Sequence, residues 1–146
     1  MRAIRAEQLL ALPIRLRGIP LGRAVDLLLD QEGLRVLGLD VLCGDDVHRF
    51  LPLPTVVIED DELTIGSPLL LLEPDELAFY RSRAVALESL RGRAIDHDGR
   101  AAGVLKDVVV GPGGVVAEVI VEANGQEQRL PFDETVRFQP VSRSAA

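Results

Sequence analysis

The sequence predicts an all-β fold of two small antiparallel β-barrels in tandem, joined by a connector with a short helix. Three observations carry this prediction: the apolar segments are short and separated by turn residues, one pattern of glycine and aspartate occurs twice, and a stretch between the two copies has helical character. Short strands at regular spacing between turn signals are typical of small barrels. The expected organisation is a first unit over residues 1–66, a connector over 67–87 and a second unit over 88–146.

The repeated pattern reads GIPLGRAVDLLLDQEG over residues 18–33 and GRAAGVLKDVVVGPGG over residues 99–114. Such glycines could cradle a phosphate or could mark the turns and bends of a fold. A phosphate-binding loop needs a helix after its glycines, whereas both segments continue with strand-like runs of branched residues. The sequence therefore favours structural roles for the shared positions, which are Gly18, Gly22, Asp26, Gly33, Gly99, Gly103, Asp107 and Gly114.

The strands follow in the same order in both copies. The first copy is expected to have strands at 13–16, 21–30 and 35–42, a fourth that ends at Leu51-Pro52, and a short one at 56–59. Their counterparts are 94–96, 102–110, 115–122, a strand that ends at Leu130-Pro131, and 135–138. Gly18 and Gly99 suit turns that need a positive φ. Gly22 and Gly103 lie just inside strands, where glycine usually marks a bulge or a close backbone approach.

The register between the copies changes once along the chain. Over the glycine pattern Gly18 corresponds to Gly99, whereas further on RFLPLPTVV (49–57) corresponds to QRLPFDETV (128–136), and the second copy has become shorter by two positions. A hairpin loop can change length at little energetic cost. The shift of two is therefore expected between residues 33 and 49.

The connector differs from both copies. Residues 68–72 (PLLLL) are expected to form an apolar strand, and residues 73–82 a helix with Pro74 in its first turn and Asp75 and Glu76 at the positive end of its dipole. Exposed apolar surface often marks an interface, and here the connector is the candidate for the interface between units or subunits. The candidate interface residues are Leu69, Leu70, Leu71, Leu72, Phe79 and Tyr80.

Composition restricts the partners. The net charge is −7 and aromatic residues make up 3% of the chain, which argues against direct nucleic-acid contact. Local basic residues near position 87 (Arg81, Arg83, Arg91 and Arg93) could form a binding patch, but a solvated connector is the favoured interpretation. The single Cys43 rules out an internal disulfide and suits the cytoplasm. We expect no signal peptide and no membrane insertion, because no apolar run approaches the ~20 residues of a spanning helix.

Several polar groups are candidates for chemical sites. Asp26 and Asp107 could act as acid or base, but an aspartate in a bent strand can also accept amide hydrogen bonds from a turn. Consecutive strand residues point to opposite faces, so Asp96-His97-Asp98 suits a hairpin better than a metal. The same interpretation is favoured for Asp45, Asp46 and His48, and a solvated turn for Glu59-Asp60-Asp61-Glu62.

Cys43 could be a nucleophile with His48 as its base, although a lone cysteine is more often a buried small hydrophobe. The sequence has no Ser-His-acid set, no zinc spacing and no dinucleotide fingerprint. No catalytic, metal-binding or cofactor-binding residue is therefore predicted, and no cofactor is expected.

The second copy resembles a PRC-barrel domain, the family of the cytoplasmic domain of the photosynthetic reaction centre H subunit and of the C-terminal domain of a bacterial ribosome maturation factor. The residues that match the family pattern are Leu90, Gly92, Ile95, Asp98, Gly99, Gly103, Asp107, Val108, Leu130, Pro131 and Phe132. The first copy is more degenerate and keeps Gly18, Gly22, Asp26, Leu51 and Pro52.

The resemblance implies an all-β barrel that serves as an adaptor. The expected function is that of a non-enzymatic protein-binding module with an unidentified protein partner, and the connector could also join two copies of the chain. A ribosome- or RNA-processing-associated factor is the alternative, and a metal- or cofactor-dependent enzyme is a third interpretation. Fold alone does not settle activity.

Overall fold

The computed structural model describes residues 3–31 and 34–140. Gly33, one of the predicted turn glycines, lies outside these ranges. The helices are α1 (Ala6–Ala11), α2 (Pro74–Arg83) and α3 (Leu87–Leu90). The strands are β1 (Ile4–Arg5), β2 (Pro13–Leu16), β3 (Ile19–Asp30), β4 (Val36–Cys43), β5 (His48–Pro52), β6 (Val57–Ile58), β7 (Leu63–Thr64), β8 (Ala84–Ala86), β9 (Ala94–His97), β10 (Arg100–Val110), β11 (Val116–Ala123), β12 (Gln126–Pro131) and β13 (Val136–Phe138).

The fold is mostly β, which confirms the predicted class, and its strands form two sheets. Sheet B has the order β5-β4-β3-β2-β7-β6, and sheet A has the order β12-β11-β10-β9-β13. Neighbouring strands are antiparallel except for the β2–β7 pair. Neither strand order closes on itself over the described ranges.

Each sheet also receives a short strand from the other half of the chain. Strand β1, at the start of the chain, pairs with β10 of sheet A, and β8, at the end of the connector, pairs with β3 of sheet B. The partners are Ile4 with Val110 and Arg5 with Val109 in sheet A, and Val85 with Leu29 and Ala86 with Leu28 in sheet B. These two sets occupy corresponding positions in the register that aligns Gly18 with Gly99, so the exchange is reciprocal.

The long strands β3 and β10 bend at corresponding places. The pairing slips by one residue between Ala24 and Asp26 and between Leu105 and Asp107, which are β-bulges. A bulge increases the local twist of a strand, so both aspartates lie where their strand changes direction.

The opposing strands β4 and β11 show where the register between the two sequence patterns changes. Ala24 pairs with Val41 and the corresponding Leu105 with Val121, so the partner in sheet A lies one position nearer along the chain. The rest of the shift appears only after these strands. The shift of two therefore divides between the loops on either side of β4.

A single main core lies between the two sheets. It combines inward side chains of sheet B, such as Leu27 and Leu39, with those of sheet A, such as Val108 and Val119, and includes Leu9 of α1. A second, smaller cluster lies on the opposite face of sheet B, where Leu28 and Phe50 pack against α2.

The connector contains the predicted helix but not the predicted strand. Helix α2 begins and ends within one residue of the predicted 73–82, but the predicted strand at 68–72 is wrong. Residues Pro68–Leu70 form a 3₁₀ turn, because proline occupies the first helical position and the Ser67 hydroxyl accepts a hydrogen bond from the Leu69 N–H. Helices α1 and α3 and strands β1, β7 and β8 were not predicted.

The close approach of β10 to β11 generates the first testable prediction. Gly103 has φ +135°, and a Cβ added there would lie 2.4 Å from the carbonyl oxygen of Glu122. Gly103→Val should therefore lower the free energy of unfolding by about 1–3 kcal/mol, through backbone strain and displacement of β11. Chemical denaturation measures this change. Gly44→Ala is the matched control, since a Cβ at Gly44 meets nothing within 4 Å, and an equal loss in both variants would contradict the account.

Candidate functional site

The connector is attached to the outer face of sheet B at several points, and this attachment defines the candidate site. Leu77 of α2 packs on Leu28 and Phe50, and the rings of Phe50 and Tyr80 stack with their centroids 4.1 Å apart. Ahead of the helix, Leu72 exchanges two backbone hydrogen bonds with Phe50, of 2.7 and 3.1 Å. The connector thus covers both the face and the β5 edge of sheet B.

A polar cluster lies beneath α2. The Asp40 carboxylate, whose side chain is 1% exposed, lies 2.8 Å from His48 Nδ1 through Oδ1 and pairs through Oδ2 with the guanidinium of Arg81. His48 and Arg81 are both about half-exposed. A buried carboxylate is costly unless it is paired and hydrogen-bonded, so these two partners make its position under the helix tolerable. The cluster ties α2 to β4 and β5 by charge as well as by packing.

The Asp40 cluster has no counterpart among the described residues of sheet A. In the strand register Asp40 of β4 lies opposite Asp26 of β3, whereas the residue opposite Asp107 is Ile120. Asp40 was not among the site residues predicted from the sequence. Its position between apolar residues in VLGLDVLC was the available signal, because a charged residue in a buried strand requires a partner.

Two connector side chains remain exposed on this support. Leu69 is 84% exposed and Phe79 is 50% exposed, and the guanidinium of Arg83 lies 4.0 Å from the Phe79 ring centre. The other candidate interface residues are partly buried, Leu70 and Leu71 against the main core and Leu72 and Tyr80 against the smaller cluster. The predicted interface residues therefore divide into four that attach the connector and two that face outward.

Two open grooves border the connector, each of about 290 Å³. One is lined by Pro68, Leu71 and residues of the β4–β5 turn, and the other by His48, Leu77 and Arg81. Both lie between the connector and the hairpin of β4 and β5, so a ligand or peptide in either would touch both elements.

The repeated aspartates each bind the start of a helix from the other half. Asp107 Oδ2 accepts a hydrogen bond of 3.1 Å from the Glu7 N–H of α1, and Asp26 Oδ1 accepts one of 3.3 Å from the Glu88 N–H of α3. A carboxylate that accepts such an N–H satisfies one of the free donors at a helix start. The arrangement links the two halves in both directions.

The charges around the two aspartates differ. Asp107 lies 3.3 Å from Arg5 Nε and 3.7 Å from the Arg91 guanidinium. The corresponding positions beside Asp26 are occupied by Ala86 and Leu10. Burial raises the pKa of Asp26 above its ordinary value, and the neighbouring carboxylates of Glu88 and Asp40 act in the same direction, against the hydrogen bonds from the Glu88 and Leu27 N–H groups.

The remaining candidates take separate places. Arg81 pairs with Asp40, Arg83 contacts Phe79, Arg91 pairs with Glu88, and Arg93 donates to the Gln139 carbonyl, so the four arginines face four different partners. Asp45 binds Arg49, and Asp96 accepts a hydrogen bond from Gln139.

Two further predicted groups concern metal and thiol chemistry. The carboxylates of Glu59, Asp61 and Glu62 each have an oxygen within 4.8 Å of the others, on the exposed turn between β6 and β7. Glu62 also binds Arg15 at 3.0 Å. Cys43 is buried, with its sulfur 4.0 Å from the Val41 carbonyl oxygen, while His48 Nδ1 is held by Asp40.

Neither the models of known protein families nor the curated proteins gave a match to this chain. Among the described residues, the helices are all too short or too polar to cross a bilayer. The candidate site therefore has to be interpreted from its own geometry.

The same substitution is predicted to change stability in opposite directions at Asp26 and at Asp107. A folded-state pKa above the unfolded value means that the folded protein binds the proton more tightly, so ionised Asp26 lowers stability at neutral pH. Asp26→Asn should raise the melting temperature at pH 7. This gain should shrink as the pH falls below the raised folded-state pKa and should vanish at the ordinary aspartate pKa of about 4, where the unfolded chain also binds the proton. Asp107→Asn should lower the free energy of unfolding by about 1–3 kcal/mol, because it leaves Arg5 and Arg91 without their shared carboxylate.

Thermal unfolding across a pH series measures both variants. Each is the control for the other, since the same substitution is made at corresponding bulges. Equal effects of the two substitutions at pH 7 would contradict the assignment of different charge environments.

The Asp40 cluster generates a third prediction. Arg81→Ala should destabilise the protein by about 1–3 kcal/mol, less than for a fully buried pair because Arg81 is half-exposed. Adding Asp40→Asn should recover most of this loss, since the neutral amide can still bond to His48 but needs no counter-charge. Chemical denaturation of the single and double variants tests this coupling, and a double variant no more stable than Arg81→Ala would refute it.

Proposed function

We propose that the protein is a non-enzymatic, cytoplasmic protein-binding module of tandem PRC-barrel type, and that the connector of residues 67–87 carries its docking surface. The observation that carries the proposal is the exposure of Leu69 and Phe79 on a connector that is itself fixed to sheet B. Scattered exposed apolar residues are common on proteins. Here Leu69 and Phe79 lie on a connector that is already packed on sheet B, so a partner would bind them without the entropic cost of ordering the connector.

The family part of the proposal is supported by the agreement between chain pattern and strand pairing. The residues that match the PRC pattern include the glycine and aspartate of the β10 bend, and corresponding residues form the β3 bend. The reciprocal exchange of β1 and β8 fits a duplicated unit. Barrel closure remains part of the proposal.

The grooves beside the connector suit a peptide or loop of a partner protein. The wall of one groove combines apolar side chains with His48 and Arg81, and the wall of the other combines Leu71 with Arg49 and Glu73. A partner with an apolar anchor and a nearby carboxylate would match this surface, because the anchor could pack beside Phe79 while the carboxylate faces the arginines.

The proposal predicts that binding is lost when the exposed anchors are removed. The double variant Leu69→Ser/Phe79→Ser should fold normally, because neither side chain belongs to the core. The control is Ile19→Ser/Val57→Ser, which changes two exposed apolar residues outside the connector. The wild type and both variants are tagged and incubated with a native, RNase-treated lysate, and the proteins that each retains are compared by quantitative mass spectrometry.

A discrete protein retained by the wild type and the control but not by the connector variant is the expected result. Equal retention by all three chains, or retention of no discrete protein by the wild type from the RNase-treated lysate, would overturn the proposed docking surface.

A further inference from the structure

Strand β12 forms an edge of sheet A. In the described part of the chain it pairs with β11 alone. The Phe132 N–H bonds to the Ala117 carbonyl on β11, and backbone groups alternate along an antiparallel strand. The N–H and C=O groups of Glu127 and Arg129 therefore point away from β11, toward the open edge.

The corresponding edge of sheet B is already occupied. Phe50 pairs with Asp40 as Arg129 pairs with Ile120, and the outward N–H and C=O groups of Phe50 bind Leu72 of the connector. Within residues 3–31 and 34–140, one such edge is thus filled by an extended segment and the other is open.

The side chains beside this edge carry opposite charges at a spacing of two. Glu127 is 38% exposed and Arg129 is 55% exposed, and the period of a strand places both on the outer face of the sheet. Arg129 lies 3.7 Å from Glu118. Glu127 lies 3.1 Å from Lys106, whose ammonium is the largest cause of the lowered pKa of Glu127, so this carboxylate is ionised at neutral pH.

We propose that β12 pairs with β12 of a second copy of this chain, antiparallel and with the two-fold axis at Gln128. Glu127 then lies opposite Arg129 of the second copy, and Arg129 opposite its Glu127. These are the residues with outward backbone groups, so the two pairs form four inter-chain hydrogen bonds. The charge order is self-complementary under the two-fold, as an isologous interface requires.

The geometry also explains where the pairing ends. Pro131 follows at the next outward position and has no N–H to donate, which confines the contact to the centre of the strand. Each copy carries a net charge of −7, so general repulsion opposes the dimer while the two cross-strand ion pairs favour it. This surface lies on sheet A and is independent of the docking surface proposed for the connector, so failure of one leaves the other standing.

The charge order can be tested by exchange. Arg129→Glu and Glu127→Arg each place like charges opposite each other in a homodimer, and each should shift the dimerisation constant by at least about tenfold toward monomer. The variant that carries both changes restores opposite charges and should dimerise like the wild type. A mixture of the two single variants should form heterodimers, because one chain is acidic and the other basic at both positions. Sedimentation velocity over a concentration series measures each case.

A covalent probe keeps the test decisive if a charge variant folds poorly. The two-fold places Gln128 opposite itself in a non-hydrogen-bonded pair, with Cα atoms about 4.5 Å apart, which is within reach of a disulfide. Gln128→Cys should therefore form disulfide-linked dimers on mild oxidation, whereas Gln126→Cys should not. The native Cys43 is buried and does not interfere.

Arg137→Glu is the matched charge control, since Arg137 is an exposed residue of β13 at the other edge of sheet A. A wild type that stays monomeric throughout the series would overturn the proposal. So would a dimer that is unaffected by the edge charges or that links Gln126→Cys as readily as Gln128→Cys.

Discussion

The reciprocal exchange of short strands is the constraint on which the rest of the structure depends. Strand β1 completes sheet A beside β10, and β8 completes sheet B beside β3. Asp107 and Asp26, at the bends of those long strands, then bind the first turns of the helices that follow β1 and β8. Because each sheet needs a segment from the other half, the apolar faces of both sheets are held against one another and share a single core.

Within this shared framework the outer surfaces of the two sheets differ. Sheet B carries the connector, with Phe50 and Leu77 packed beneath it and the buried Asp40 tied to His48 and Arg81. Sheet A has Ile120 in the place of Asp40 and an open edge strand with alternating charges. The covered face therefore offers exposed apolar anchors, while the open edge offers backbone groups and charge. The two sheets therefore offer two different kinds of surface.

The β class and the order of the main strands could be predicted from the sequence, because short apolar runs and the turn residues between them are local properties of the chain. The exchange could not be predicted, since strands and helices as short as β1, β8, α1 and α3 have no measurable period. The strand prediction for residues 68–72 was wrong for a similar reason. An apolar run suits a strand or a turn equally, and Pro68 and Ser67 favour the 3₁₀ turn. Asp40 could have been noticed in its apolar strand, but its partners come from distant segments.

Native-state hydrogen exchange on a core variant tests the central claim, that the strand exchange makes the two sheets one cooperative unit. Val119→Ala removes buried side-chain volume from sheet A, and the opening free energies of protected amides can then be compared in β3 and β4 and in β10 and β11. The account predicts an equal loss in both sheets, because neither can remain folded while the other opens. A loss confined to β10 and β11, with protection in β3 and β4 unchanged, would show that the sheets fold independently and would contradict it.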